Sequence, residues 1–236
     1  MATKVNLKRV FRILANLPDL QSSASWTLKT LWIEHEPIAA ACLAHPFVTG
    51  IADGSLPRQT FIHYVGQDAF FLEAFAKAYA LGLAKSPDKA VMTRFKRLLD
   101  GALDEVGLHA AYAKRWGVDL TPQPNLATRA YTDFLLQVAA LEPLANLCAA
   151  MTPCMRLYAW LGQRLTPRAD QHSPYIERVQ TYAAPEFEEL AVTLEDLLDE
   201  LTDGSQAVRQ RYGTAMSLEL AFFDAAYDAG TTEHKP

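Results

Sequence analysis

Apolar residues recur at three- and four-residue intervals along most of the chain, the spacing of helices that turn one face inward. In the run after Pro57 the inward stripe is Phe61, Tyr64, Val65, Phe71, Leu72, Phe75 and Tyr79, with Asp68 in its middle. The last long run repeats the anomaly: Tyr212, Met216, Phe222, Phe223 and Tyr227 share a face with Glu219. A third run carries Leu147, Met151, Cys154, Leu157, Tyr158 and Leu161 on one face and holds a proline, Pro153, well inside it. That proline removes a backbone donor and pushes away the carbonyl of Ala149, which predicts a kink beside the Cys154 thiol and the Tyr158 hydroxyl.

Turn and cap residues divide the pattern into helices. The spacing predicts helices over Ser22–Leu43, bent or interrupted at Pro37, and from Pro57 to Lys85, with Ser55 as N-cap and Pro57 just inside. Further helices are expected from Ser86-Pro87-Asp88 to Trp116, then from the loop Thr121–Asn125 to Leu141, with Tyr131, Leu135 and Val138 inward. Glu142-Pro143 opens the Cys154 helix, which ends near Arg164. Pro174 opens a short helix holding Tyr175 and Tyr182. Pro185 opens an acidic amphipathic one with Phe187, Leu190, Leu194, Leu197 and Leu201 on one side, and the last runs over Ser205–Ala229. No alternating β-branched run, Asn-Gly hairpin or glycine-rich phosphate loop occurs. The fold class is all-α, a bundle of eight or nine helices.

With 236 residues, half of them apolar, the chain suits one hydrophobic core. The expected organisation is an N-terminal extension over 1–20, a helical domain over 21–230 and a loose tail over 231–236. A net charge of -5 without a basic block argues against a nucleic-acid or membrane-surface partner. No stretch approaches the roughly 18 apolar residues of a membrane span. The basic, interrupted amino terminus reads as an amphipathic helix or extension, not a secretory signal. Three cysteines, Cys42, Cys148 and Cys154, have no metal-type spacing and suggest reduced thiols and a cytoplasmic location.

Two acids on core stripes demand an explanation, because an unpaired buried carboxylate costs several kcal/mol unless it is hydrogen-bonded or protonated. Together with the thiol they point to one polar cavity. The plainer alternative is that Cys154 is a small apolar filler, the usual role of a free buried cysteine. Glu105 and His109, at i and i+4, suit a metal pair, but a surface contact between them is the commoner use of that spacing.

The motifs His45-Pro46-Phe47-Val48 with Gly50 and Asp53–Pro57, Tyr64-Val65-Gly66-Gln67-Asp68, Pro153-Cys154-x-x-Leu157-Tyr158, and Glu219 with Phe222 resemble the TenA (thiaminase II) family. The likeness runs from about Leu43 to Tyr227. It implies a heme-oxygenase-like single-domain bundle, usually a homotetramer, that needs no cofactor or metal. Its implied activity is hydrolysis of aminopyrimidines derived from degraded thiamin, and of thiamin itself, to hydroxymethylpyrimidine. By this resemblance Cys154 is the nucleophile, of the family's cysteine-type branch. Asp68 pairs with the amino group and ring nitrogen of the pyrimidine, and Glu219 gives and takes protons near the leaving group. Tyr131, Tyr158 and Tyr182 line the pocket, and Phe222 packs on the ring. At Phe71 many members carry a tyrosine, so a pocket hydroxyl is missing here.

The residue types suit that chemistry. A carboxyl at Asp68 can polarise the ring through paired hydrogen bonds, Cys154 can add to a ring carbon, and Glu219 among apolar neighbours should hold its proton near neutral pH. Two other classes compete. A metal-dependent oxidase would need several His and carboxylate ligands facing one cavity, whereas His35, His45, His63, His109, His172 and His234 are scattered. A non-catalytic pyrimidine-binding regulator is the other, which Phe71 makes conceivable.

Overall fold

The computed structural model describes residues 23–202 and 204–232; the expected extension over 1–20 and residues 233–236 of the expected tail lie outside them. Among the described residues there are nine α-helices and no strand: α1 Ser23–Ala44, α2 Pro46–Asp53, α3 Arg58–Lys85, α4 Lys89–Trp116, α5 Leu126–Leu141, α6 Leu144–Leu165, α7 Ile176–Ala183, α8 Pro185–Leu201 and α9 Gln206–Thr232. A single 3-10 turn, Thr166–Arg168, follows α6. None of these helices is long and apolar enough to cross a membrane.

Helix ends fall where local chemistry satisfies the free backbone donors. The Asp88 carboxylate accepts from Val91 N at 2.9 Å, and the Asn125 side chain accepts from Thr128 N at 2.8 Å. Gly117 ends α4 at φ 72°, a left-handed conformation that a residue with a Cβ resists. Several expectations shift here. Between the expected helices that end at Leu43 and begin at Pro57 lies one more: His45 caps α2 through Nδ1, Pro46 begins it, and helix continues to Asp53 before Gly54 turns left-handed at φ 78°. Pro57, not Ser55, is the N-cap of α3, which begins at Arg58 without a side-chain cap; Ser55 belongs to the preceding turn, where its amide donates to the Asp53 carboxylate at 2.9 Å. Tyr175 sits at the N-cap of α7 rather than within it. Helix α9 extends past Ala229, so Thr231 and Thr232 are helical rather than tail. Both α1 and α6 run through their internal prolines, Pro37 and Pro153, without a break.

Helix α3 packs against α4, α5, α6 and α9, and α6 packs against α5, α7, α8 and α9, so these two helices meet most of the bundle. Their buried stripes join those of α9 in one apolar cluster. Asp68, from the middle of α3, and Glu219, from α9, are buried within it, at 5% and 1% exposure.

One close approach fixes how α7 meets α6. A Cβ on Gly162 would stand 2.5 Å from the carbonyl carbon of Tyr182 and 2.6 Å from the amide nitrogen of Ala183, so only glycine lets the two backbones lie this near. Gly162→Ala is expected to lower stability by about 2 kcal/mol through overpacking, read as a fall in the denaturant midpoint; an unchanged midpoint would contradict it.

Candidate active site

The stripes of α3, α4, α5, α6, α7 and α9 converge on a cavity of about 360 Å³. All eight residues singled out from the sequence line it: Cys154, Glu219, Asp68, Tyr131, Tyr158, Tyr182, Phe71 and Phe222. They come from five helices, and burial with a shared opening, not sequence proximity, brings them together.

At one side of the cavity Cys154 and Glu219 meet across α6 and α9. The thiol lies beside the Glu219 carboxylate, close enough for each to shift the other's acidity, and Tyr131 Oη donates to Glu219 Oε1 at 2.6 Å. Burial, only partly offset by Tyr131 and Cys154, pushes Glu219 up to about 7. Burial also pushes the Cys154 thiol well above its ordinary range, and the negative charges of Glu219, Glu105 and Asp68 add to that. At rest the sulfur therefore keeps its proton, with a carboxylate poised to take it.

Asp68 is held differently. Arg178 of α7 forms a very short ion pair with Asp68 Oδ2, and His109 Nε2 hydrogen-bonds to the same oxygen at 2.9 Å. Burial alone would raise its affinity for a proton, but the Arg178 guanidinium and the His109 contact overcome it and hold Asp68 below the usual carboxylate range. Arg178 is fully enclosed: it lies 3.5 Å from Glu105 Oε1, donates to Tyr64 Oη at 3.1 Å, and faces the rings of Tyr182 and Tyr64 at 4.9 and 5.5 Å. Tyr182 Oη donates to Glu105 at 3.1 Å, completing a network of three helices around one buried cation. Burial, partly countered by Arg178 and reinforced by Asp68, raises Glu105 above its ordinary value.

The walls are aromatic. Phe71 lies 4.7 Å from Tyr131 and 5.9 Å from Phe222, ring centre to ring centre, and Tyr158 meets Tyr182 edge-on at 4.7 Å. With phenylalanine at 71 this wall offers a face without a hydroxyl, beside the hydroxyl that Tyr131 directs at Glu219.

The sequence reading of Glu105 and His109 as a helix-surface contact is corrected. His109 is buried; its Nδ1 bonds the Glu105 backbone carbonyl at 2.9 Å while its Nε2 reaches Asp68. The Glu105 carboxylate turns instead to Arg178 and Tyr182. Both ring nitrogens meet acceptors, and among the described residues no group of three His, Cys, Asp or Glu side chains could hold a metal ion. Arg178 was not singled out from the sequence at all. Its signal was present, since Tyr175, Arg178, Val179 and Tyr182 follow helical spacing and all four are buried.

A family model described as TENA/THI-4/PQQC matches residues 32–229. The chain belongs to the TENA/THI-4/PQQC family. Among its relatives is an aminopyrimidine aminohydrolase of Halalkalibacterium halodurans, 37% identical, the match covering 84% of this chain and 94% of that protein. A TenA family transcription regulator from Silicibacter sp. TM1040 has a similar structure, with a TM-score of 0.79 at 28% identity, over 85% of this chain and 96% of that one. A Shewanella denitrificans domain with a heme oxygenase-like fold matches at a TM-score of 0.65 over 97% of this chain and 95% of its own. At 12% identity that last match speaks to the fold alone. The TenA-family bundle thus has the all-α, heme-oxygenase-like architecture that the sequence implies.

Because Asp68 is the nearest counter-charge to a sealed guanidinium, Asp68→Asn is expected to cost about 3 kcal/mol, the usual loss when one member of a buried pair is removed. Urea unfolding at pH 7 measures it, and a loss below about 1 kcal/mol would mean that Glu105 suffices alone.

Proposed function

We propose that this chain is an aminopyrimidine aminohydrolase of the thiaminase II type, a thiamin-salvage hydrolase. It converts 4-amino-5-aminomethyl-2-methylpyrimidine and water to the hydroxymethylpyrimidine and ammonia, and it cleaves thiamin by the same route. One observation carries this reading: a thiol and a buried carboxylate beside it line one aromatic-walled cavity, with an ionised carboxylate elsewhere on its wall. The name and coverage of the Halalkalibacterium relative support it.

In this reading the ring lies between Phe71, Phe222 and the tyrosines, with its amino edge on the free oxygen of Asp68. Ionised Asp68 accepts from the amino group and favours positive charge developing there. As Cys154 attacks the ring carbon next to the one bearing the CH2 group, its proton passes to Glu219, and aromaticity is broken. The amino nitrogen then supplies the electron pair that expels the leaving group from the CH2, and Glu219 returns the proton to that group. Water adds to the exocyclic carbon, giving up a proton to Glu219, and the sulfur departs with restoration of the ring. One proton is thus shared between Cys154 and Glu219 throughout, which makes the pair a single titrating unit.

Glu219 takes its first step as a base here, where the sequence alone suggested a general acid. The metal-dependent oxidase has no observation in its favour, since His109 and Glu105 are engaged with Asp68, Arg178 and Tyr182. The regulator reading has one, the name of the Silicibacter relative, and turnover separates it from the hydrolase. The proposal also takes the protein as a cytoplasmic homotetramer, as the family resemblance implies.

The pair titrates in a defined direction. Below about 7 both Glu219 and Cys154 are protonated and no base faces the thiol, so kcat/KM should rise with pH to a plateau above about 7. Glu219→Gln should remove that rise and lower the plateau about 100-fold or more, and Cys154→Ser should lower turnover at least as much. Ammonia release from the aminomethylpyrimidine measures both; binding of the pyrimidine with no release by the wild-type protein would favour the regulator.

A further inference from the structure

His109 touches Asp68 from behind. It does not line the cavity, and α4 carries it inward at 1% exposure. Its Nδ1 lies 2.9 Å from the backbone carbonyl oxygen of Glu105, one turn earlier, and its Nε2 lies 2.9 Å from Asp68 Oδ2. A ring turned over would put carbon at both places and lose both bonds.

The identity of those two partners fixes the protons. A peptide carbonyl only accepts, so Nδ1 must donate. Asp68 Oδ2 also receives the Arg178 guanidinium, a permanent cation, which keeps that oxygen an acceptor. Nε2 must therefore donate as well, and a histidine that donates from both nitrogens is the imidazolium. Charge balance agrees. Arg178 and His109 stand as two cations against the carboxylates of Asp68 and Glu105, whereas a neutral His109 would leave the sealed cluster with more negative than positive charge. On its outer side His109 adjoins a groove that Glu73 of α3 and Arg129 and Asp133 of α5 also line. Glu73 is paired with Lys77, so that side is close to neutral and does not oppose the charge on the ring.

We propose that His109 is a positioning residue of the hydrolase, an imidazolium that clamps Asp68 Oδ2 together with Arg178 and leaves the other oxygen to the amino edge of the pyrimidine. Two charged donors on one oxygen, from α4 and α7, fix the plane of the carboxylate, which a single donor would leave free to turn. This rests on the hydrolase reading above and adds how its pyrimidine-binding acid is aimed.

Two measurements test it. The first is the nitrogen NMR spectrum of the wild-type protein at pH 8, where an ordinary histidine, with a pKa of about 6.5, is neutral. The His109 ring should carry a proton on each nitrogen, and one bare nitrogen overturns the clamp whether or not any variant folds. The second compares wild-type and His109→Gln proteins in binding two ligands, the hydroxymethylpyrimidine and its analogue with hydrogen in place of the ring amino group. Glutamine can still reach Asp68 but brings no charge. The Kd of the amino-bearing ligand should rise about ten-fold, the worth of one hydrogen bond to a charged group, while that of the analogue, which does not use Asp68, should not change. Equal weakening of both ligands, or of neither, overturns the positioning role while leaving the hydrolase standing. A wild-type protein inert on the aminomethylpyrimidine overturns the hydrolase and the inference with it.

Discussion

A carboxylate sealed inside a bundle of helices needs a counter-charge sealed in with it, and the Asp68–Arg178 pair is the interaction on which the rest of this structure depends. Asp68 comes from α3 and Arg178 from α7, while Glu105 and His109 reach the same cluster from α4. Taking such charges out of water is costly, and the return comes only when geometry and hydrogen bonds are complete. The network therefore ties three helices to one another and sets the floor of the cavity. It also leaves Asp68 ionised where an unassisted buried acid would be neutral.

Glu219 supplies the contrast. It is at least as buried, yet its partners among the described residues are the Tyr131 hydroxyl and the Cys154 thiol, with no cation. Its proton affinity rises to the neutral range for that reason. Two carboxyl groups on the wall of one cavity are thus driven apart in acidity by their surroundings, one fixed as an anion and the other able to exchange a proton near neutrality. Aromatic walls keep the space between them largely apolar, which strengthens both effects. The Gly162 contact matters to the same end, because it sets the depth at which α7 carries Tyr182 and Arg178 toward the site.

The fold was legible because helical periodicity and the Pro, Gly, Asp and Asn punctuation act locally, and most helix ends lie within a few residues of the pattern. What misled was chemistry that depends on a neighbour. Ser55 reads as a cap, but α3 begins three residues later and Ser55 stays in the turn held by Asp53, and α2, capped by the His45 ring, falls in a gap between two expected helices. The acids on the stripes of α3 and α9 were visible because a carboxylate breaks an apolar pattern. Arg178 breaks one too, but in α7, a helix of eight residues, the pattern is too brief to stand out. Glu105 and His109 were visible as a spacing and wrongly oriented, since the face of α4 that they occupy is decided by what α3 and α7 present to it.

The central claim is that the ring binds with its amino edge on Asp68 and its reacting carbon against the sulfur. A crystal structure of the protein with the hydroxymethylpyrimidine product bound tests it most directly. The account predicts Asp68 within hydrogen-bond distance of the ring amino group, about 2.9 Å, and Cys154 Sγ in van der Waals contact, about 3.5 Å, with the ring carbon beside the substituted one. A pyrimidine bound with its amino edge turned from Asp68, or with the sulfur out of reach of that carbon, would contradict it.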